Sequence, residues 1–405
     1  MRRWVGSASL GAVLLLAGCT EGSDPWLQPS DAGASFQAGR YADFADYIAQ
    51  TRARLAADKI YLDPANAADE LAAATPFEIS PAERCAHDAP KRGILLIHGL
   101  SDMPFAMRDL AEAFAERCFL ARSLLLPGHG TRPGDLLQVT REDWLEAARF
   151  GAATLAAETD AVYVGGFSLG GLIAAHLAAG DPDIAGVFAF SPAWTLQSNR
   201  SLSFTPWLRH VLDWIDTDAP DDYARYEAMP LNGLAETYLL AQEFEAKLAA
   251  QPLETPVFLA QSADDAIIDA AGNAGYFAKR LTSPSSRALT YSRDPAAAPA
   301  EPRTRYLNSA LPAARIMGFS HQAVHVAPSN PHYGEHGAYR NCGINAGRSA
   351  ELAALCLDAD WPWRGEIVGD IPPEVPEGAV LARLTFNPLF DDMLAAIDEF
   401  LANGA

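Results

Sequence analysis

One serine in the stretch Val164–Gly171, VGGFSLGG, stands between Gly166 and Gly170, with the apolar run AVYVGGF leading into it and LIAAHLAAG leading away. That order reads as strand, sharp turn and helix, and it carries the G-x-S-x-G pattern of a nucleophile elbow. A serine at such a turn takes a strained backbone conformation, and a side chain at either flanking glycine would crowd the adjoining strand and helix. The helix that starts at the serine brings a positive end and free backbone N–H groups beside it. The chemistry this suits is attack by the Ser168 hydroxyl on an electrophilic carbon. A bare G-x-S-x-G arises easily by chance, and a glycine-rich packing turn is the competing reading; the strand-turn-helix context and the further glycines Gly165 and Gly171 favour the nucleophile.

A serine hydroxyl needs a base, and the base needs a carboxylate to orient it. Downstream, the strand-like TPVFLAQS is followed by Asp264, Asp265 and Asp269, and the stretch PAARIMGFSHQAVHVAPSNPHYGEHG offers His321, His325, His332 and His336. His321 is favoured because it directly follows ARIMGFS, which reads as a short strand, and a base must project from a strand end across the elbow.

The elements that would position these groups alternate. An amphipathic helix over FQAGRYADFADYIAQTRARLAADK comes first. Then follow RGILLIHG as strand, PFAMRDLAEAFAER as helix, FLARSLLLPG as strand, TREDWLEAARFGAATLAAE as helix with Thr140 and Asp143 at capping-box spacing, the elbow itself, and IAGVFAFSP as strand. Continuous apolar strands separated by amphipathic helices predict an α/β fold with a mostly parallel sheet covered on both faces.

Composition narrows the partners. The chain has 405 residues, 49% of them hydrophobic, enough for a large core. Its 51 acidic against 30 basic residues leave a net charge of -21, which repels phosphate backbones and excludes nucleic acid as an expected partner. Arg2 and Arg3 precede an apolar stretch too short to span a bilayer of about 30 Å as a stable helix, which favours a cleaved export signal. Its ending, Leu16-Ala17-Gly18-Cys19, resembles the lipobox of bacterial lipoproteins. That resemblance implies a signal peptide over 1–18, diacylation of Cys19, a polar tether over 19–34, and a place in the bacterial cell envelope on the periplasmic side or at the outer membrane. A plain signal peptide or a buried N-terminal helix are the competing readings. Export suits the four remaining cysteines. Cys85 and Cys118 each precede a strand-like run, and parallel neighbours would bring those starts together, so they are expected to pair, leaving Cys342 with Cys356. Without a CxxC or a close Cys/His cluster, no metal is expected.

The segments LLIHGLSDMPFAMRDLA, LLLPGHGTRPGDL, DWLEAA and VYVGGFSLGGLIA, in that order, resemble the α/β-hydrolase superfamily, in its branch of bacterial carboxylesterases, monoacylglycerol lipases and serine aminopeptidase-like enzymes. The match runs over about residues 91–195 and 253–270, and more weakly over 311–325 and 386–401. The resemblance implies one domain over 35–405 and the chain order Ser168, acid, His321. Asp265 is preferred to Asp264, because the family's acid commonly stands just before a short apolar pair. The oxyanion hole would use the backbone N–H groups of Leu169 and of Leu100, the residue after HG. His98 and His129 would be loop scaffolds. Two insertions depart from a minimal fold: 193–252, where a lid usually sits, and 326–385, between the expected base and the last helix NPLFDDMLAAIDEFL. The expectation is a serine hydrolase acting without a cofactor on a small-molecule carboxylic ester with an apolar acyl group, held at a membrane by its lipid. Amide hydrolysis of the aminopeptidase type and a non-catalytic envelope binding protein are the alternatives.

Overall fold

The computed structural model describes residues 24–30, 32, 36–85, 91–197, 199–343, 350–358, 362–366 and 371–404. The expected signal peptide 1–18, Cys19 and the start of the 19–34 segment lie outside the described residues. The rest of that segment is not a free tether over 24–30. The Ser30 backbone N–H and hydroxyl both donate to the fully buried Asp135 carboxylate, which needs donors once it is removed from water.

The apolar runs form the strands of one sheet: β1 (Phe77–Ile79), β2 (Arg92–Ile97), β3 (Phe119–Leu124), β4 (Ala161–Phe167), β5 (Ile184–Phe190), β8 (Val257–Ser262), β9 (Arg287–Ser292) and β10 (Thr304–Asn308), in the order β1-β3-β2-β4-β5-β8-β9-β10. Only β1, at one edge, is antiparallel to its neighbour. The other pairs are parallel, as continuous apolar strands require. Two apolar cores form, one on each face, from residues such as Leu95, Val164 and Leu172 on one and Ile94, Phe114 and Phe188 on the other. The helices α1 (Phe44–Asp58) and α2 (Ala67–Ala74) precede the sheet, α3 (Arg108–Ala115), α4 (Arg141–Ala156) and α5 (Leu169–Ala178) alternate with β2 to β5, and α4 opens on the capping box expected of Thr140 and Asp143.

The 193–252 segment holds α6 (Asn199–Leu202), α7 (Thr205–Leu208), the short pair β6 (Trp214–Asp216) and β7 (Met229–Pro230), and α8 (Leu231–Ala250). After α9 (Ala270–Arg280) and the sheet's last two strands, the 326–385 segment holds α10 (Ala350–Asp358) and the parallel pair β11 (Trp363–Gly365) and β12 (Leu381–Arg383), before α11 (Phe390–Ala402) closes the fold. Disulfides join Cys85 to Cys118 and Cys342 to Cys356, with Cα separations of 5.5 and 5.9 Å.

One expectation fails. ARIMGFS is not a strand: after the left-handed Arg315 it runs irregularly, with Ile316 bridging to Leu311 and to Arg364. The last place in the sheet goes to β10, so this segment finds its backbone partners in the insertion instead, Met317 N–H donating to the Arg364 carbonyl at 2.8 Å.

Candidate active site

The register of the central strands builds the site. β2 and β4 run side by side with Ile97 opposite Gly166, so the chain leaving β2 at His98–Leu100 passes next to the turn at Ser168. That approach is possible only because Gly166 and Gly170 carry no side chain. A Cβ on Gly166 would stand 2.5 Å from the Ile97 carbonyl oxygen, and one on Gly170 only 1.9 Å from it. Ser168 sits at φ 53° and ψ -114°, a left-handed conformation that a non-glycine residue adopts only under constraint from its surroundings. Its own backbone is held between neighbours: the N–H donates to Phe190 and the carbonyl accepts from Ala193, both at 3.0 Å.

On this turn the Ser168 Oγ lies 3.0 Å from His321 Nε2, and His321 Nδ1 lies 2.6 Å from Asp265 Oδ2. With the Nδ1 proton directed at the carboxylate, Nε2 is the acceptor for the serine hydroxyl. Asp265 is itself fixed: its other oxygen accepts from the N–H groups of Ile267 and Ile268 at 2.8 and 3.0 Å, which leaves Oδ2 for the imidazole. Asp264 points elsewhere, to the Ser309 hydroxyl at 2.8 Å and to Arg293 at 3.2 Å. Asp269 caps α9. His325 is stacked on Phe167 with ring centroids 4.0 Å apart, and neither of its ring nitrogens has a partner among the described residues. Burial holds it neutral, with its pKa pushed down to about 3. His332 is bonded to Asp222 at 2.8 Å, away from the serine.

The loop after β2 completes the arrangement. The backbone N–H groups of Leu100 and Leu169 have no hydrogen-bond acceptor among the described residues, so both remain available at the elbow. The loop is held by two imidazoles: His98 Nε2 accepts from Leu126 N–H at 3.0 Å, and His129 Nε2 accepts from Ser101 N–H at 3.1 Å. Accepting requires neutral rings, and burial secures that by lowering His98 well below its usual range and His129 to about 4. Trp144, from DWLEAA, donates its indole N–H to the Pro127 carbonyl at 3.1 Å and so fixes the loop that carries His129.

Both insertions take part. The 193–252 segment leaves from beside Ser168, touches the acid's loop where Gln197 N–H donates to Ile267, and returns across the β2 loop, where Tyr226 N–H donates to Ser101 at 2.8 Å. The later insertion reaches the histidine: Glu366 accepts from the His321 backbone N–H at 3.3 Å and from Arg383 at 2.6 Å. Glu366 was not singled out from the sequence, since it lies beyond the base and in no motif. Asp102, within the segment LLIHGLSDMPFAMRDLA, has no role that the sequence alone assigns. It is buried, and desolvation raises its carboxyl to about 6 although Arg225 and His321 both favour its charge. Its position two residues after Leu100 was the available signal. Among the described residues no group of three or more His, Cys, Asp or Glu is arranged to hold a metal ion.

A parallel sheet with one antiparallel edge, a serine on a strained turn between β4 and α5, and acid and histidine following in that order define the α/β-hydrolase fold. In agreement with this, a family model for serine aminopeptidase, S33, matches residues 88–224. The chain is 29% identical over 195 residues to the thermostable monoacylglycerol lipase of Bacillus sp. (strain H-257), covering 47% of this chain and 77% of that lipase. Among solved structures it is similar to one from the metagenome-derived lipolytic enzymes LipS and LipT (23% identity, 54% of this chain and 87% of that one, TM-score 0.46). The monoacylglycerol lipase of Paleococcus ferrophilus is another (18% identity, 54% and 88%, TM-score 0.44).

Proposed function

We propose that this protein is a serine hydrolase of carboxylic esters with apolar acyl groups, anchored at the cell envelope by a lipid on Cys19. The reading rests on one observation above all, the relay Ser168–His321–Asp265 with separations of 3.0 and 2.6 Å on a strained turn. As His321 Nε2 takes the hydroxyl proton, Ser168 Oγ attacks the ester carbonyl, and the charge that develops on the carbonyl oxygen is met by the N–H groups of Leu100 and Leu169. The tetrahedral species collapses to an acyl-enzyme when the proton passes from His321 to the departing alkoxide, which leaves as the alcohol. Water, activated by the same imidazole, then releases the acid and restores the serine. Asp265 holds the ring in the required tautomer and offsets the imidazolium charge. No step calls for a cofactor.

Similarity to a monoacylglycerol lipase favours an ester of a fatty acid, while the match to a serine aminopeptidase family keeps amide hydrolysis as a second reading. The test is a screen of p-nitrophenyl esters of graded chain length beside aminoacyl arylamides, together with fluorophosphonate labelling. Ester turnover and a covalent adduct on Ser168, both lost in Ser168→Ala, are expected. Turnover of arylamides alone would replace the ester reading, and a Ser168→Ala variant that keeps more than about a tenth of the activity would refute the nucleophile. An inert, unlabelled protein would point to a binding role. For the anchor, labelled palmitate should enter the wild type and not Cys19→Ser.

A further inference from the structure

The insertion between the base and the last helix gathers cations that the hydrolytic chemistry does not use. Arg340, Arg364 and Arg383 line one cavity of about 230 Å³, and among the described residues Glu335 is the one acid in its lining. In a chain with 51 acidic and 30 basic residues this is an uneven placement of charge, and like charges brought together away from water repel until an anion joins them. Arg364 shows the strain: burial and then the neighbouring Arg340 push its guanidinium pKa down, against a smaller opposing pull from Glu335. The walls are held by their own bonds. Arg364 and Arg383 stand on the paired strands β11 and β12. Arg340 ends a tight turn in which a Cβ on Gly334 would stand 2.4 Å from the Asn330 carbonyl oxygen, and one on Gly337 2.3 Å from that of His332. Turn and strands are joined where Arg364 Nη2 donates to the Glu335 carbonyl at 3.2 Å and the Arg383 N–H to the Asn341 carbonyl at 2.8 Å. Among the described residues Arg383 uses only Nη2, on Glu366, and its buried Nε has no partner.

From this we infer that the cavity is a binding site for a phosphate group, free or as a small monoester, and that its occupation braces His321. Guanidinium groups brought from three segments match an anion with oxygens on every side, whereas a carboxylate presents its two oxygens to a single fork. A fatty acid does not suit the lining, in which Tyr339 is the one large apolar side chain. The walls reach the base by two routes. Arg383 holds Glu366, which accepts from the His321 N–H at 3.3 Å. The Arg364 carbonyl accepts from the N–H of Met317, four residues before the base, at 2.8 Å. An anion that ties Arg364 to Arg383 therefore stiffens both supports at once. Its effect on turnover rests on the hydrolase reading, and its binding does not.

The test titrates inorganic phosphate, glycerol phosphate and succinate into the full chain by calorimetry, at about pH 8, where phosphate is dianionic, and at fixed ionic strength in chloride. Phosphate or its ester should saturate a single site, with succinate about tenfold weaker or more; the tighter of the first two identifies the source. The Kd should rise about tenfold or more in Arg364→Gln and less in Arg364→Lys, which keeps the charge without the fork. It should stay within about twofold in Arg149→Gln, which removes one positive charge from α4, outside this cavity. Should Arg364→Gln fail to fold, the wild type still decides: at ten times Kd, phosphate should slow amide exchange at Met317, β11 and β12 about tenfold. The kcat for p-nitrophenyl butyrate should rise with phosphate, half-maximally at the same Kd. Absence of saturable binding, succinate as tight as phosphate, or protection confined to other segments overturns the inference. So does inhibition competitive with the ester, which would place the anion at Ser168, and a kcat unchanged at saturation overturns the bracing. Binding and exchange are read in Ser168→Ala as well, so failure of the hydrolase reading and failure of this one are separable.

Discussion

Gly170→Ala tests the argument that the elbow and the β2 loop are built around a missing side chain. An ideal Cβ at Gly170 falls 1.9 Å from the Ile97 carbonyl oxygen, 2.5 Å from the Ile97 carbonyl carbon and 2.7 Å from the His98 oxygen. All three are backbone atoms, so no rotamer change relieves the overlap, and restoring ordinary contact needs a separation of more than about 1 Å between α5 and the end of β2. Overpacking of this kind costs about 3 kcal/mol, the upper end of its usual range. The displaced segment carries Leu100, and a shift of that size at a reacting centre lowers turnover about 100-fold. Gly275→Ala is the control. Gly275 lies within α9 with nothing within 4 Å of its Cβ position, so the same substitution there should stabilise by about 1 kcal/mol through helix propensity and leave activity alone. Urea unfolding and kcat/KM on p-nitrophenyl butyrate measure both. If Gly170→Ala keeps its activity within about threefold and its stability within about 0.5 kcal/mol, the steric account of the elbow is wrong.

Asp265→Asn should lower kcat by about 10⁴-fold by favouring the wrong imidazole tautomer, whereas Asp264→Asn, which faces Ser309 and Arg293, should change kcat by less than about tenfold; equal losses would show that geometry does not separate them. His325 is buried neutral at a pKa of about 3, below its value in the unfolded chain, so its contribution is intact above about pH 6.5 and is lost as pH falls, because the unfolded chain takes up a proton that the fold refuses. At pH 4.5 that loss is about 2 to 3 kcal/mol, and His325→Phe, which keeps the ring stack on Phe167, should be less acid-sensitive than the wild type in urea titrations at pH 7 and 4.5. Replacing Cys85 and Cys118 by serine should cost about 2 to 5 kcal/mol, since their bridge closes a loop with a sequence separation of 33; an unchanged urea midpoint would show that the bridge does not constrain the unfolded chain.

The central strands and the elbow were legible because each is a local pattern: AVYVGGF is apolar on both faces, and the glycines stand where backbone meets backbone. The pairing of Cys85 with Cys118 followed from reading β2 and β3 as parallel neighbours. The preference for Asp265 turned on the apolar pair after it, and the structure has Ile267 and Ile268 pinning its carboxylate through their N–H groups. Non-local dependence set the limit. β10, TRYLN, has no fully buried residue and so shows no strand signal, whereas ARIMGFS buries Ile316, Met317 and Phe319 without being a strand, because its backbone partner is Arg364. Glu366 and Asp102 gain meaning only from groups that the fold brings to them.

The support of His321 from Glu366 has a consequence for the order in which the protein becomes complete. Ser168 and Asp265 follow β4 and β8, whose neighbours in the sheet, β2, β5 and β9, all end before residue 293. The histidine's backbone is held by Glu366, which Arg383 holds in turn, and the neighbouring Ser320 hydroxyl donates to the Leu384 carbonyl. A chain emerging from its N-terminus can therefore fold its nucleophile and its acid well before the base has anything to rest on. The relay closes only when the stretch around Glu366 to Leu384 has docked, so the nascent protein carries a shaped but incomplete site from the completion of β9 until that stretch arrives.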